Sequence, residues 1–129
     1  MKPLTHPSIE DVTVEGLLHA LSDPVRAAIY AGIAAADGAL SCSSFLQVCD
    51  RAIPKSTLSQ HFRALREAGL IRSERHGVEM RNTTRCAEIQ QRFPGLIAAI
   101  LSAHSVQAAE RAKAARRKPA AAKSRTGVG

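Results

Sequence analysis

The sequence predicts a mainly α-helical fold carrying one two-stranded β-hairpin, and three observations predict it. Apolar residues recur at helical spacing through most of the 129 positions. That period gives way once, at LIRSERHGVEMRNTT (70–84), to a two-residue alternation. The chain has no Trp and only four aromatic residues (Tyr30, Phe45, Phe62 and Phe93), so its core must rest on Leu, Ile, Val and Ala, and Ala favours helix.

Taken in order, Val14, Leu17, Leu18 and Leu21 fall at i, i+3, i+4 and i+7, the apolar stripe of a short amphipathic helix. It stops at Ser22-Asp23-Pro24. There Asp23 can cap a second helix, and Pro24 can take its first position, where a missing N–H costs nothing. This second helix turns Val25, Ala28, Ile29 and Ile33 inward and ends before Asp37-Gly38. Ser41 or Ser43 can cap a third, short helix holding Phe45, Leu46, Val48 and Cys49. A connector at 50–53 leads to Pro54-Lys55-Ser56 and a fourth helix with Leu58, Phe62 and Leu65 on its buried stripe, and Gly69 supplies its C-terminal stop. The hairpin follows, with His76-Gly77 as its turn. A last helical region carries Ile89, Phe93, Leu96, Ile97, Ile100, Leu101 and His104, offset or restarted at Pro94.

The formal net charge is +7, from 18 basic and 11 acidic residues, but it is unevenly placed. Residues 111–129 hold seven basic residues and no acid, which leaves positions 1–110 with no net charge. Within that body, the first 50 residues sum to −4 and residues 51–92 to +5, so the chain changes sign at Arg51. These shifts divide it into an N-terminal arm (1–11), a body (12–110), and a basic tail (111–129) too poor in apolar bulk to fold alone and expected to be disordered. No apolar run reaches the roughly 20 residues of a membrane helix, and MKPLTHPSIEDV lacks the apolar stretch of a secretory signal. Three cysteines do not make a disulfide framework, so a reducing cytoplasm is the expected compartment. There is no glycine-rich phosphate loop, nucleophile elbow or closely spaced carboxylate pair, so no enzymatic activity is expected.

Two helices joined by a tight connector, the second followed at once by a basic hairpin, are the parts of a winged helix-turn-helix. Opposite Leu58, Phe62 and Leu65, the fourth helix presents Lys55, Ser56, Thr57, Ser59, Gln60 and Arg63, with His61 near the boundary between faces. These are side chains that DNA readout uses: Gln pairs bidentately with adenine, Lys and Arg with guanine, and Ser with base edges or phosphates. The hairpin adds Arg72, Arg75, His76 and Arg81, placed to grip a phosphate backbone or probe a minor groove. Double-stranded DNA is the expected partner. The competing reading is a winged-helix module that binds protein or RNA and answers to no inducer.

At this level the sequence resembles the ArsR/SmtB family of transcriptional repressors. The carriers are ALSDPVRAAIY (20–30), STLSQHFRALREAGLIRSERHGVEMRN (56–82) and RFPGLIAAIL (92–101). The resemblance implies a homodimer with the first and last helices packed across a two-fold axis, and a roughly palindromic operator read by two helices one DNA turn apart. Many members release DNA when metal binds a Cys-x-Cys pair in the third helix. Here Cys49 falls on the second cysteine, but Gln47 occupies the first and is a poor soft-metal ligand. The family's other site needs ligands on the last helix that His104 and Glu110 do not complete. No cofactor is therefore expected, a metal being possible but not supported by a complete ligand set.

Cys42, Cys49 and Cys86 remain as candidate sensor thiols for an oxidant, reactive sulfur or a thiophilic metal. As buried cysteines they would instead be small hydrophobes. If one helix held both Cys42 and Cys49, their Cα atoms would lie about 10 Å apart, beyond the roughly 7 Å a disulfide tolerates. That objection weakens if Cys42 precedes the helix.

Overall fold

A computed structural model describes residues 4–36, 40–41, 47–48 and 51–128. Residues 1–97 form one compact unit and 98–129 a second.

In the first unit a single 3-10 turn at Ile9–Asp11 precedes α1 (Val14–Leu21) and α2 (Pro24–Ala35). Thr13 caps α1 by accepting the Gly16 N–H at 3.0 Å. Asp23 caps α2 as its sequence position predicts: Oδ1 accepts from the Val25 N–H at 2.8 Å and the Arg26 N–H at 3.2 Å, with Pro24 in the first turn. Arg26 then reaches back, and its Nε donates to the Ala20 carbonyl at 2.7 Å, tying the start of α2 to the end of α1. The helix expected to reach Val48 does not run through that position. Gln47–Val48 (β2) is extended and pairs antiparallel with Arg51–Ala52 (β3), inside the expected connector. Val is a weak helix former and suits a strand, so Val48 takes up cross-strand pairing where a partner is at hand. Phe45, Cys42 and Cys49 lie outside the described residues.

Helix α3 (Lys55–Ala68) buries Leu58, Phe62 and Leu65 against α1 and α2. It ends at Gly69, whose φ of +91° is the left-handed stop expected there. A second constraint also demands glycine: a Cβ would sit 2.4 Å from Cγ2 of the buried Val12. The Leu70 N–H returns to the Leu65 carbonyl at 3.0 Å, and the Arg85 N–H to the Leu70 carbonyl at 2.9 Å, so helix and hairpin share a closed joint.

The hairpin consists of β4 (Ile71–His76) and β5 (Glu79–Thr84), paired from Ile71↔Thr84 to His76↔Glu79. Its two-residue turn is therefore Gly77-Val78, one position later than expected. Gly77 takes φ +66°, and Val78 is fully exposed at the tip. Positive φ at the first turn position suits glycine, whereas histidine there would carry a Cβ penalty. Leu40–Ser41 (β1) pairs with β5, making a three-stranded sheet in the order β1-β5-β4 with β4 at an edge.

After the sheet, α4 (Cys86–Arg92) buries Ile89 and packs on the Ile9–Asp11 turn. The chain breaks at Phe93-Pro94-Gly95, as the proline predicts, and restarts as α5 (Leu96–Val128). Ile97 is buried in the first unit. The second unit is helical from its start, and the helix continues through 111–128, the segment set apart above as a basic tail. No helix among the described residues is long and apolar enough to cross a membrane.

Candidate nucleic-acid interface

Because α3 commits Leu58, Phe62 and Leu65 to the core, its opposite side is left to solvent. Lys55, Ser56, Ser59, Gln60 and Arg63 are exposed, and Thr57 and His61 are half-buried at the margin. Among the described residues, Lys55, Ser56, Ser59 and Gln60 make no side-chain hydrogen bond or ion pair. Arg63 is different, since its Nε donates to Glu67 Oε1 at 2.8 Å one turn on. The helix opens on Pro54, whose side chain cannot cap it. The first N–H groups of α3 thus meet no side-chain oxygen, and the positive end of the helix dipole is open to an anion.

The hairpin carries its cations differently. Arg72 Nη2 lies 3.3 Å from Glu88 Oε1, His76 Nε2 3.6 Å from Glu74 Oε2, and Arg81 Nε 4.0 Å from Glu79 Oε2. Of the four predicted contact residues here, Arg75 alone makes no ion pair among the described residues. All four are exposed, so the arginine charges can be exchanged from carboxylate to phosphate at little desolvation cost.

The charge step read from the sequence is not all surface. Arg85 is buried, with its Nη1 donating to the Pro7 carbonyl at 2.7 Å and its Nη2 to Glu88 Oε2 at 2.8 Å. Arg92 donates to the Ile9 carbonyl at 2.5 Å and to the Val12 carbonyl, and its guanidinium lies 4.7 Å from the Phe93 ring centroid. Arg66 Nη1 reaches the Ser73 hydroxyl at 3.4 Å. These three arginines hold the fold together. Sequence reasoning missed them because most of their acceptors are backbone carbonyls remote in the chain, which leave no side-chain signature. The same contacts show that the segment expected as an N-terminal arm is packed onto the body at Pro7 and Ile9.

Several groups titrate away from their ordinary values. Burial pushes the Asp23 carboxyl up, but the Arg26 and Val25 N–H groups, with the Arg26 charge and His61 nearby, bring it below the usual range. Hydrogen bonding and charge from Arg85 and Arg72 hold Glu88 low against burial. Burial raises Tyr30, whose hydroxyl has no partner among the described residues, and the Cys86 charge adds to the rise. Cys86 itself is exposed, with its Sγ 3.2 Å from Thr84 Oγ1. Cys42 and Cys49 are outside the described residues, so their distance from Cys86 is not part of the site. Among the described residues no three His, Cys, Asp or Glu side chains group as metal ligands would.

Residues 21–74 match a family described as a helix-turn-helix domain. No curated protein matches the chain. Among solved structures, the chain is similar to an ArsR-like transcriptional regulator from Rhodococcus sp. RHA1. The two are 24% identical, the match covers 81% of this chain and 91% of that one, and the TM-score is 0.50. The architecture is thus an ArsR-like winged helix-turn-helix, with the β4–β5 hairpin as the wing.

Proposed function

We propose that this winged helix-turn-helix chain is a sequence-specific DNA-binding transcriptional repressor of the ArsR type, acting as a homodimer on a roughly palindromic operator in the cytoplasm. The observation that carries the reading is the exposed face of α3, where Lys55, Ser56, Ser59 and Gln60 have no partner among the described residues and stand beside a cationic wing. Polar side chains without internal partners are ready to bond base edges without first breaking a contact. In this reading the N-terminal half of α3 enters the major groove, Gln60 reads adenine, Lys55 reads guanine or a phosphate, and Ser56, Thr57 and Ser59 bond edges or backbone. His61 and Arg63 lie at the groove wall. Arg72, Arg75, His76 and Arg81 hold the flanking phosphates and set register without carrying sequence.

A homodimer is supported by Leu18, a large apolar residue of α1 that stays exposed in the single chain. Residues 12–110 are read as the DNA-binding and dimerisation body, and the seven basic residues of 111–129 as a sequence-independent grip. Release by a thiol-directed signal rests on the exposed Cys86. Operator affinity measured with peroxide, persulfide, arsenite and zinc, in the native chain and in a Cys42→Ser/Cys49→Ser/Cys86→Ser variant, tests it. Affinity that no reagent changes would remove the thiol from the proposal. No cofactor and no catalysis are assigned to the chain.

The deciding experiment is competition between the duplex upstream of its own gene and random duplex. Gln60→Ala should cost about 1–3 kcal/mol of specificity while leaving random-duplex affinity nearly unchanged. Unaltered operator preference in that variant would overturn the assignment of the reading face. A native chain with no duplex preference, but with affinity for RNA or a protein, would replace the reading with that of an interaction module.

A further inference from the structure

Four segments of the chain meet at one buried serine. The Ser73 hydroxyl donates to Asn82 Oδ1 at 2.7 Å, joining β4 to its register partner on β5. Arg66 of α3 donates to the same hydroxyl oxygen at 3.4 Å. The Ser73 backbone N–H lies on the edge of β4 that no strand among the described residues covers, and it donates to His6 Nε2 at 3.0 Å. Residues of the N-terminal arm therefore cover the wing's open edge at the point where the wing is also tied to α3. Farther along, Arg85 holds the arm at the Pro7 carbonyl, and Arg92 holds it at the Ile9 and Val12 carbonyls. Those arginine bonds persist at any ordinary pH. Of these attachments, the one at His6 is the one that a proton can cancel.

We infer that the arm from residue 4 to residue 12 is a strap that sets the angle of the wing against α3, and that His6 is its proton-operated latch. The inference rests on the reading of α3 and the wing as a DNA-contacting pair, and it makes His6 a positioning residue for that contact. A neutral imidazole accepts through one ring nitrogen, whereas imidazolium has two donors and no acceptor. Protonation thus replaces the Ser73 N–H···Nε2 bond with two opposed N–H groups. The cations around the ring also oppose a proton, and Glu74 favours one. Arg72 and Glu74 come from β4, Arg66 from α3, and Arg85 from the residue before α4, while Glu88 of α4 is already bonded by Arg72 and Arg85. Burial, then Arg72, Arg66 and Arg85, hold the His6 pKa below its ordinary value, with Glu74 opposing.

The sign follows from proton counting. The docked arm binds fewer protons than a free arm, so docking strengthens as pH rises. It is complete above the ordinary histidine value of about 6.5 and weakens as pH falls below that toward the lower docked value. With the latch open, the wing keeps its hairpin but loses its edge support, and Arg72 and Arg75 lose their fixed height over α3.

The test compares the full chain with His6→Gln and His6→Ala at pH 7.5 and 5.5. Glutamine can offer an oxygen near the place of Nε2 but does not titrate. Protection of the Ser73 amide from hydrogen exchange, expressed as a protection factor, reads the latch without DNA, and the Leu70 amide serves as a control. The native chain should lose about three- to ten-fold of its Ser73 protection between pH 7.5 and 5.5. His6→Gln should keep its protection at both pH values, and His6→Ala should be low at both. Operator affinity should follow the same order: the native chain matches His6→Gln at pH 7.5 and falls toward His6→Ala at pH 5.5. Taking each ratio at fixed pH cancels pH effects that arise elsewhere in the chain. Ser73 protection that is equal in the native chain and His6→Ala overturns the latch, as does native protection that ignores pH. Affinity ratios near one, with protection behaving as described, overturn the positioning role. A native chain that prefers no duplex at either pH fails the DNA-binding reading itself, and the Ser73 amide still decides the latch.

Discussion

The exposed face of α3 and the β4–β5 wing present similar residue types to solvent but hold them in opposite ways. On α3, Lys55, Ser56, Ser59 and Gln60 have no partner among the described residues, while the wing pairs Arg72, His76 and Arg81 with Glu88, Glu74 and Glu79. The difference separates two kinds of recognition. Side chains that read bases must be unencumbered, because each hydrogen bond to a base edge competes with any bond already made. Side chains that grip phosphates can rest on carboxylates, since a cation exchanged between two anions changes its net energy little at an exposed site. Carboxylates on the wing also discourage non-specific adhesion to polyanions. The comparison can be broken or sharpened at three levels: the joint that both regions share, the support of α3, and the wing alone.

The joint carries the largest expected effect. Gly69 ends α3 with a left-handed residue and passes the chain to β4, and a Cβ there would collide with Val12. Left-handed backbone costs a non-glycine residue about 1–2 kcal/mol, and overpacking against a buried valine adds about 1–3 kcal/mol. Gly69→Ala should therefore lower unfolding free energy by about 2–5 kcal/mol in urea denaturation. It should weaken operator and random duplex together, because helix and wing move apart. If affinity for random duplex survived while specificity fell, the wing would be shown to act without the joint.

Much of this joint was legible in the sequence. Asp23-Pro24 as cap and first residue, the Leu58-Phe62-Leu65 stripe, the glycine stop and the change of period to a hairpin are local signals, and each stands where its chemistry predicted. Three features were not legible, for physical reasons. The pairing of Gln47–Val48 with Arg51–Ala52 is decided by a neighbouring strand rather than by intrinsic propensity, and a short apolar run has no period to report it. The turn moved from His76-Gly77 to Gly77-Val78, because only the pairing register tells which side of the glycine lies in the loop. The roles of Arg66, Arg85, Arg92 and His6 depend on chain segments that meet only in the fold, so no local pattern marks them.

Support for α3 from the side of α2 comes next in size. Asp23 caps α2 and lies near enough to His61 to feel its charge. Asp23→Ala should cost about 1 kcal/mol of stability at pH 7, the usual value of an N-cap. The folded pKa of Asp23 is lowered, so this contribution is present above the ordinary carboxylate value and is lost as pH falls through the folded value. The stability gap between native chain and variant, followed by denaturant titration from pH 7 to pH 3, should narrow below about pH 4. A gap that stayed constant to pH 3 would mean that the cap acts through packing rather than through its charge. Wing function should be untouched, with the same salt dependence of duplex binding in both proteins.

The wing alone gives the smallest effect and the sharpest one. Arg75 and Arg72 are both exposed arginines of β4, yet Arg72 is bonded to Glu88 and Arg75 has no partner among the described residues. A phosphate contact made by Arg75 adds a full counterion release, so Arg75→Ala should flatten the log–log salt slope of duplex binding by about 0.9. Arg72 must first leave Glu88, which Arg85 continues to hold at 2.8 Å, and the carboxylate is then exposed beside the DNA. Arg72→Ala should therefore change the slope by less than Arg75→Ala, and both variants should keep the operator-to-random ratio of the native chain. Equal slopes would show that the ion pair with Glu88 does not hold Arg72 back. The wing would then be as uncommitted as the face of α3, and the division between reading and gripping would have to rest on groove geometry instead of on prior partners.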